Sequence, residues 1–140
     1  MTVSWDPKLA VGVALIDEQH KQLFAHVDAL LEALHQWRGQ QVVEKLLGFL
    51  KQYVVEHFTA EQRLMVQTGY PAFAEHERQH EEFVARFLDL EAEFQKAGAT
   101  LGFTLKLNGV VCSWLRQHIA TTDRALGAFV TQRTALRRAV

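Results

Sequence analysis

Five of the seven histidines in this 140-residue chain recur at spacings that can build a metal site. His57 and Glu61 are four residues apart, as are His76 and His80, and on an α-helix that spacing puts both members of a pair on one face. His20 and His118 stand apart from these pairs, and an acid, Asp123, lies five residues beyond His118. Imidazole and carboxylate together suit iron, and the donor types also admit manganese or copper. Seven such ligands exceed the four of one tetrahedral zinc site. They suit two octahedral ions sharing carboxylate bridges and a bridge derived from solvent. Taken singly, each piece has a plainer reading. The 76/80 pair, flanked by Glu75, Glu77 and Glu81, would pass as a charged surface helix, and the 57/61 pair as an ordinary helix contact. A lone His20 or His118 would pass as a satisfied core histidine.

What decides between these readings is whether the elements bring the residues together. Two prolines, Pro7 and Pro71, fall outside the long periodic segments, and no alternating strand pattern appears. The apolar spacing predicts four helices. The first runs from about residue 18 to 37, with Asp17 as N-cap and a stripe of Leu23, Phe24, Val27, Leu30, Leu31 and Leu34. Gly39 breaks it. The second runs from about 42 to 66, and Gly69 suits its C-cap. Pro71 suits the first turn of a third helix over about 72 to 96, carrying Phe73, Phe83, Val84, Phe87 and Phe94 inward. After Gly98 and Gly102 the fourth covers about 103 to 120, with a short helical tail beyond Asp123. The first seventeen residues read as an extended arm packed on the bundle. Long helices with short connections favour antiparallel neighbours, so the expected architecture is all-α: an up-down-up-down four-helix bundle forming one domain over 1–140.

On this scaffold the histidines fall on the stripes. His20 precedes Leu23 by three and Phe24 by four; His57 follows Tyr53 by four; His76 and His80 lie between Phe73 and Phe83; His118 follows Trp114 by four. They also share one height. The start of the first helix, the end of the second, the start of the third and the end of the fourth meet at one end of such a bundle. The five histidines and Glu61 then lie within about two turns, on the order of 10 Å. Asp123 is the exception, since five residues is about 140° round a regular helix. Its approach requires the helix to end or distort at Thr121 and Thr122. His26 and His35 lie roughly 90° off the first stripe and are expected to be solvated or partly exposed, without a role. Cys112 reads as buried packing, and Arg133, Arg137 and Arg138 as a solvated tail.

Composition narrows the partners. A net charge of −1 gives no electrostatic case for nucleic acid or an anionic membrane, and no segment is apolar for long enough to span a bilayer. A single cysteine fits a reducing compartment, and the N-terminus does not read as a signal peptide, so the expected location is cytoplasmic.

Four stretches in order resemble the hemerythrin family, its single-domain bacterial branch most closely: GVALIDEQHKQLF around His20, HFTAE from His57 to Glu61, YPAFAEHERQH ending at His80, and WLRQHIATTD from Trp114 to Asp123. The resemblance implies two iron ions joined by an oxo or hydroxo bridge. One would be held by His76, His80 and His118 and the other by His20 and His57, with Glu61 and Asp123 bridging. It implies reversible dioxygen binding at the less coordinated iron, in a pocket walled by Leu23, Phe24, Phe58, Trp114, Leu115 and Ile119. An oxygen carrier further implies a protein, not yet identified, that accepts the oxygen. Where the family often has a second glutamate after the ligand, this chain has Gln62, which points away from the site. Oxygen-activating bundles of the ferritin type use four glutamates and two Glu-x-x-His pairs. Five histidines with two acids favour binding over an oxidase, a peroxidase or a nitric-oxide-handling enzyme. A sensor module, the remaining alternative, would need an output domain, and none is seen in the sequence.

Overall fold

A computed structural model describes residues 4–139. The first three residues of the expected arm, and Val140, lie outside the described residues.

Three long helices come first: α1 (Ala14–His35), α2 (Gln40–Thr68) and α3 (Phe73–Ala97). A fourth helical run follows over 101–139. It is made of α4 (Leu101–Leu107), a π-helical turn (Asn108–Ser113), α5 (Trp114–His118), a second π-helical turn (Ile119–Asp123) and α6 (Arg124–Ala139). α1 packs on α2, α2 on α3, and α3 on α4, while the first π turn closes on α1. This is the expected up-down-up-down bundle. Its apolar core runs from Ile16 and Leu23 on α1 through Leu47, Leu50, Phe83, Phe87 and Phe94 to Phe103, Leu107 and Leu115. Among the described residues no helix is long and apolar enough to cross a membrane.

The helix boundaries differ from expectation where side chains do unexpected work. α1 starts four residues early, after Val13, so Asp17 is not its N-cap. The Asp17 carboxylate instead accepts from the backbone N–H groups of Val11 (2.8 Å) and Gly12 (3.3 Å), tying the arm to the helix. The arm is shorter than expected and holds a 3-10 turn at Pro7–Leu9. Gly69 is the left-handed C-cap of α2, with φ 66°, as expected. Pro71 sits in the turn before α3, which begins two residues later at Phe73. Gly102 lies inside α4 instead of breaking the chain.

The fourth run is the chief surprise. The expected fourth helix and short tail are one continuous helix that carries on for sixteen residues past Asp123. Leu107, Val111, Leu115, Ile119 and Asp123 are all buried, at a strict spacing of four. In a regular helix a four-residue repeat drifts about 40° per step, or about 160° over this stretch. The two π turns, which bond i to i+5, absorb that drift and keep all five on one face.

The next residue of that repeat, Gly127, receives the arm. A Cβ there would lie 2.0 Å from the carbonyl oxygen of Val11, so only glycine permits this approach. The Lys8 carbonyl accepts from the Arg124 guanidinium one turn away. Gly127→Ala would ordinarily favour a helix. Here it should force the arm off α6 and destabilise the protein by about 1–3 kcal/mol. Denaturant unfolding measures this, and a more stable variant would contradict the docking.

Candidate metal centre

His20 comes from α1, His57 and Glu61 from α2, His76 and His80 from α3, His118 from α5 and Asp123 from the second π turn. The fold brings all seven together. They are also the only buried polar or charged residues among those described, each no more than 3% exposed. Met65 and Leu126 are buried too, yet stand outside the contiguous apolar core.

Asp123 reaches the cluster because the π turn brings residue i+5 back over residue i. Its Oδ1 lies 3.1 Å from the Nε2 atoms of both His76 and His118, and its Oδ2 lies 3.1 Å from His20 Nε2. Glu61 behaves alike: Oε1 is 2.8 Å from His57 Nε2 and 3.6 Å from His80 Nε2, and Oε2 is 3.4 Å from His76 Nε2. The ring atoms thus fall into two groups, His76/His80/His118 and His20/His57, and both carboxylates belong to each.

These contacts are close without being satisfied. Both oxygens of Glu61, both of Asp123 and both ring nitrogens of His20 and His76 lack a hydrogen-bond partner. The polar atoms aim past one another at shared points. Leaving so many buried polar atoms unpaired would be costly, and metal coordination removes the cost. The spacing agrees, since two ligands each about 2.1 Å from one ion at right angles stand about 3 Å apart. His80 Nε2 and His118 Nε2 are 3.2 Å apart. The donor set therefore fits two ions sharing two carboxylates.

Sequence reasoning missed the role of four residues: three contact the rings from outside, and the fourth braces one of these three. Gln19 Oε1 lies 2.8 Å from His57 Nδ1, and Gln79 Oε1 lies 2.8 Å from His118 Nδ1. The Thr122 hydroxyl also donates to Gln79 Oε1 (2.8 Å), and Glu77 Oε1 lies 3.4 Å from His80 Nδ1. The available signal was a glutamine directly before His20 and before His80. Each of these turns away from its neighbour's face and meets a histidine of another helix.

Of the six expected pocket residues, Leu23, Phe24, Phe58, Leu115 and Ile119 are buried and Trp114 is half-buried. Phe58 stacks on His80 (3.8 Å between centroids) and Trp114 on His118 (4.4 Å), so these two border the three-histidine group. Leu23 and Phe24 follow His20 by a turn on α1. His26 is half-buried against Tyr53, and His35 is exposed.

The fold and site define a class: an antiparallel helical bundle with a buried, dinuclear type of cation site at one end. Residues 11–130 match the model of the hemerythrin HHE cation binding domain. The chain belongs to the hemerythrin family. It is 32% identical over 119 residues to a bacteriohemerythrin of Pseudomonas paraeruginosa, covering 85% of this chain and 75% of that one. It is 30% identical over 121 residues to the myohemerythrin of Sipunculus nudus, covering 85% and 86%. A crystal structure of wild-type hemerythrin superposes with a TM-score of 0.81 at 28% identity, covering 93% of this chain and 98% of that one.

Without metal, the cluster holds its charge by mutual attraction. Burial, and next the charge of Asp123, push Glu61 upward, but His57 and His76 together outweigh them and bring it to about 2. Burial raises Asp123 as well, yet His118, His20 and His76 hold it well below its usual value. Burial lowers His76, but Asp123 and Glu61 outweigh it and raise it to about 9, while burial keeps His80 low. The acids' contribution to stability is present above their ordinary values and lost as pH falls toward 2. That of His76 is complete below 6.5 and lost as pH rises through about 9. His80, buried neutral, costs stability as pH drops below 6.5. Thermal unfolding of the metal-free protein should therefore show a maximum near about pH 6 with a decline on both sides. A melting temperature that climbs from pH 6 to pH 9 would refute this charge arrangement.

Proposed function

We propose that this protein binds dioxygen reversibly at two iron ions and serves as a carrier, store or scavenger, not as an enzyme. His76, His80 and His118 would hold one iron and His20 and His57 the other, with Glu61 and Asp123 shared between the two groups; an oxo or hydroxo group would complete the centre. When bound, the ferrous pair supplies the two electrons that dioxygen takes up and gives back. The observation that carries the reading is the unequal division of histidines about two shared carboxylates. With three imidazoles on one side and two on the other, an ion on the second side would have fewer protein ligands and hence room for a small molecule.

The rest of the chain's work is exclusion and orientation. Leu23, Phe24, Leu115 and Ile119 are 0–2% exposed and keep water out. A dry wall preserves a weakly held ligand from hydrolysis and premature loss. Gln19 and Gln79 accept from the outer ring nitrogens, so that each Nε2 faces inward with its lone pair free. A histidine-rich, carboxylate-poor set favours binding over oxygen activation, in contrast with ferritin-like sites. Membership of the hemerythrin family supports the same conclusion.

The decisive experiment reconstitutes the protein with ferrous iron under anaerobic conditions and then admits dioxygen. Two irons per chain are expected, with a coloured adduct that bleaches when the gas is removed. Continuous oxygen consumption, or irreversible conversion to the ferric state, would mark an oxidase instead. Iron should also be lost on acidification below about pH 6.5, as imidazoles protonate. Full retention after prolonged exposure near about pH 4 would argue against histidine ligation.

A further inference from the structure

We propose that Gln79 is the positioning residue of the three-histidine side: it fixes the proton and ring plane of His118 and, through Thr122, anchors the π turn that carries Asp123. This rests on the reading of His118 and Asp123 as iron ligands given above.

The orientation of the Gln79 amide follows from its neighbours. Its nitrogen donates to Glu75 Oε1 at 3.3 Å, and an ionised carboxylate can only accept. The amide oxygen must then face the other way, toward His118 Nδ1 at 2.8 Å. An amide oxygen cannot donate, so the hydrogen of that contact is on Nδ1, and Nε2 is the atom turned toward the carboxylates, 3.1 Å from Asp123 Oδ1. A solvated imidazole prefers the opposite tautomer, with its proton on Nε2. Gln79 therefore keeps the His118 Nδ1 protonated and its Nε2 turned inward before any metal arrives. Glu75 is itself steadied by Arg78, which donates to it at 2.7 and 2.9 Å, so the chain of contacts begins at the surface and ends at the site.

The second lone pair of the Gln79 oxygen accepts from the Thr122 hydroxyl at 2.8 Å. Thr122 sits in the π turn directly before Asp123. One oxygen atom on α3 thus ties down both a ring on α5 and the turn that delivers the bridging acid. No other side chain among those described holds Thr122. A polar hollow of about 250 Å³, lined in part by Arg78, Gln79, Trp114, His118 and Thr122, borders this node. Water is therefore at hand to compete for Nδ1 if the amide is removed. Gln19 makes the matching contact to His57 alone, without a second partner from a turn. The two sides of the site should accordingly differ in how strongly they depend on their glutamine.

The test starts with the metal-free protein. Nitrogen-15 spectra of the histidine rings should show Nδ1 protonated on both His57 and His118 in the parent. In Gln79→Leu, His118 should move toward Nε2–H while His57 stays unchanged. Ferrous iron titrated against a competing chelator should bind one of its two sites about 10–100-fold more weakly in Gln79→Leu. Gln79→Glu, which keeps an oxygen acceptor, should recover most of that loss, and the isosteric Thr122→Val should show a smaller loss of the same site. If Gln79→Leu does not fold, Gln79→Asn, polar but too short to reach, makes the same comparison. An Nε2–H tautomer for His118 in the parent would overturn the proposal. So would unchanged His118 signals together with iron affinity within twofold in the leucine variant. A parent that binds no iron would instead defeat the functional reading, and the ring spectra would still report on the clamp.

Discussion

Two carboxylates and five imidazoles sit in the dry end of a helical bundle, with both oxygens of each acid left without a hydrogen bond. That arrangement is the constraint on which the remainder of the structure depends. Oxygens 3.1 Å from ring nitrogens that they do not hydrogen-bond are not a failed salt-bridge network. They are lone pairs held on two common points. A bundle that merely needed stability would fill this layer with leucine, since buried ion pairs rarely outperform apolar packing. The polar layer instead makes the fold and the ion interdependent, because the free energy of binding metal is also free energy of folding.

That layer imposes demands on every helix. Its seven side chains from α1, α2, α3 and the fourth run must arrive at one height, which the antiparallel topology provides. The fourth run must supply two of them five residues apart, which a regular α-helix cannot do on one face. The π turn at Ile119–Asp123 resolves this, and a second one upstream keeps Leu107, Val111 and Leu115 in line with it. Wide turns of this kind are uncommon and concentrate at functional sites. The arm belongs to the same system. Its Lys8 and Val11 dock on Arg124 and Gly127, just past Asp123, so this part of the arm is fastened beside the second π turn.

The rings themselves are controlled from outside by groups on other helices. Gln19 on α1 holds a histidine of α2, and Gln79 on α3 holds one of α5. These cross-links do for orientation what the apolar stripes do for position. They separate the question of where a ring sits from the question of which nitrogen faces the metal.

Residue types and their periodicity were enough to identify the bundle, the inward faces and the common height of His20, His57, Glu61, His76, His80 and His118. All of these depend on spacing along single helices, which one-dimensional sequence encodes directly. Asp123 showed the limit: its distance from His118 demanded that the helix end or distort at Thr121 and Thr122, and residue types alone left the form open. Only the packed structure chose a π turn over a helix end, because the choice depends on what burying the repeat at 107, 111, 115 and 119 gains against neighbouring helices. Helix starts were misjudged for a related reason. Asp17 has the composition of a cap, but the arm offered its carboxylate better-placed amides. The division of oxygens between the two histidine groups, the glutamine clamps and the glycine contact under the arm all join residues far apart in the chain. Such contacts are fixed by the relative placement of whole helices, and no local pattern specifies them.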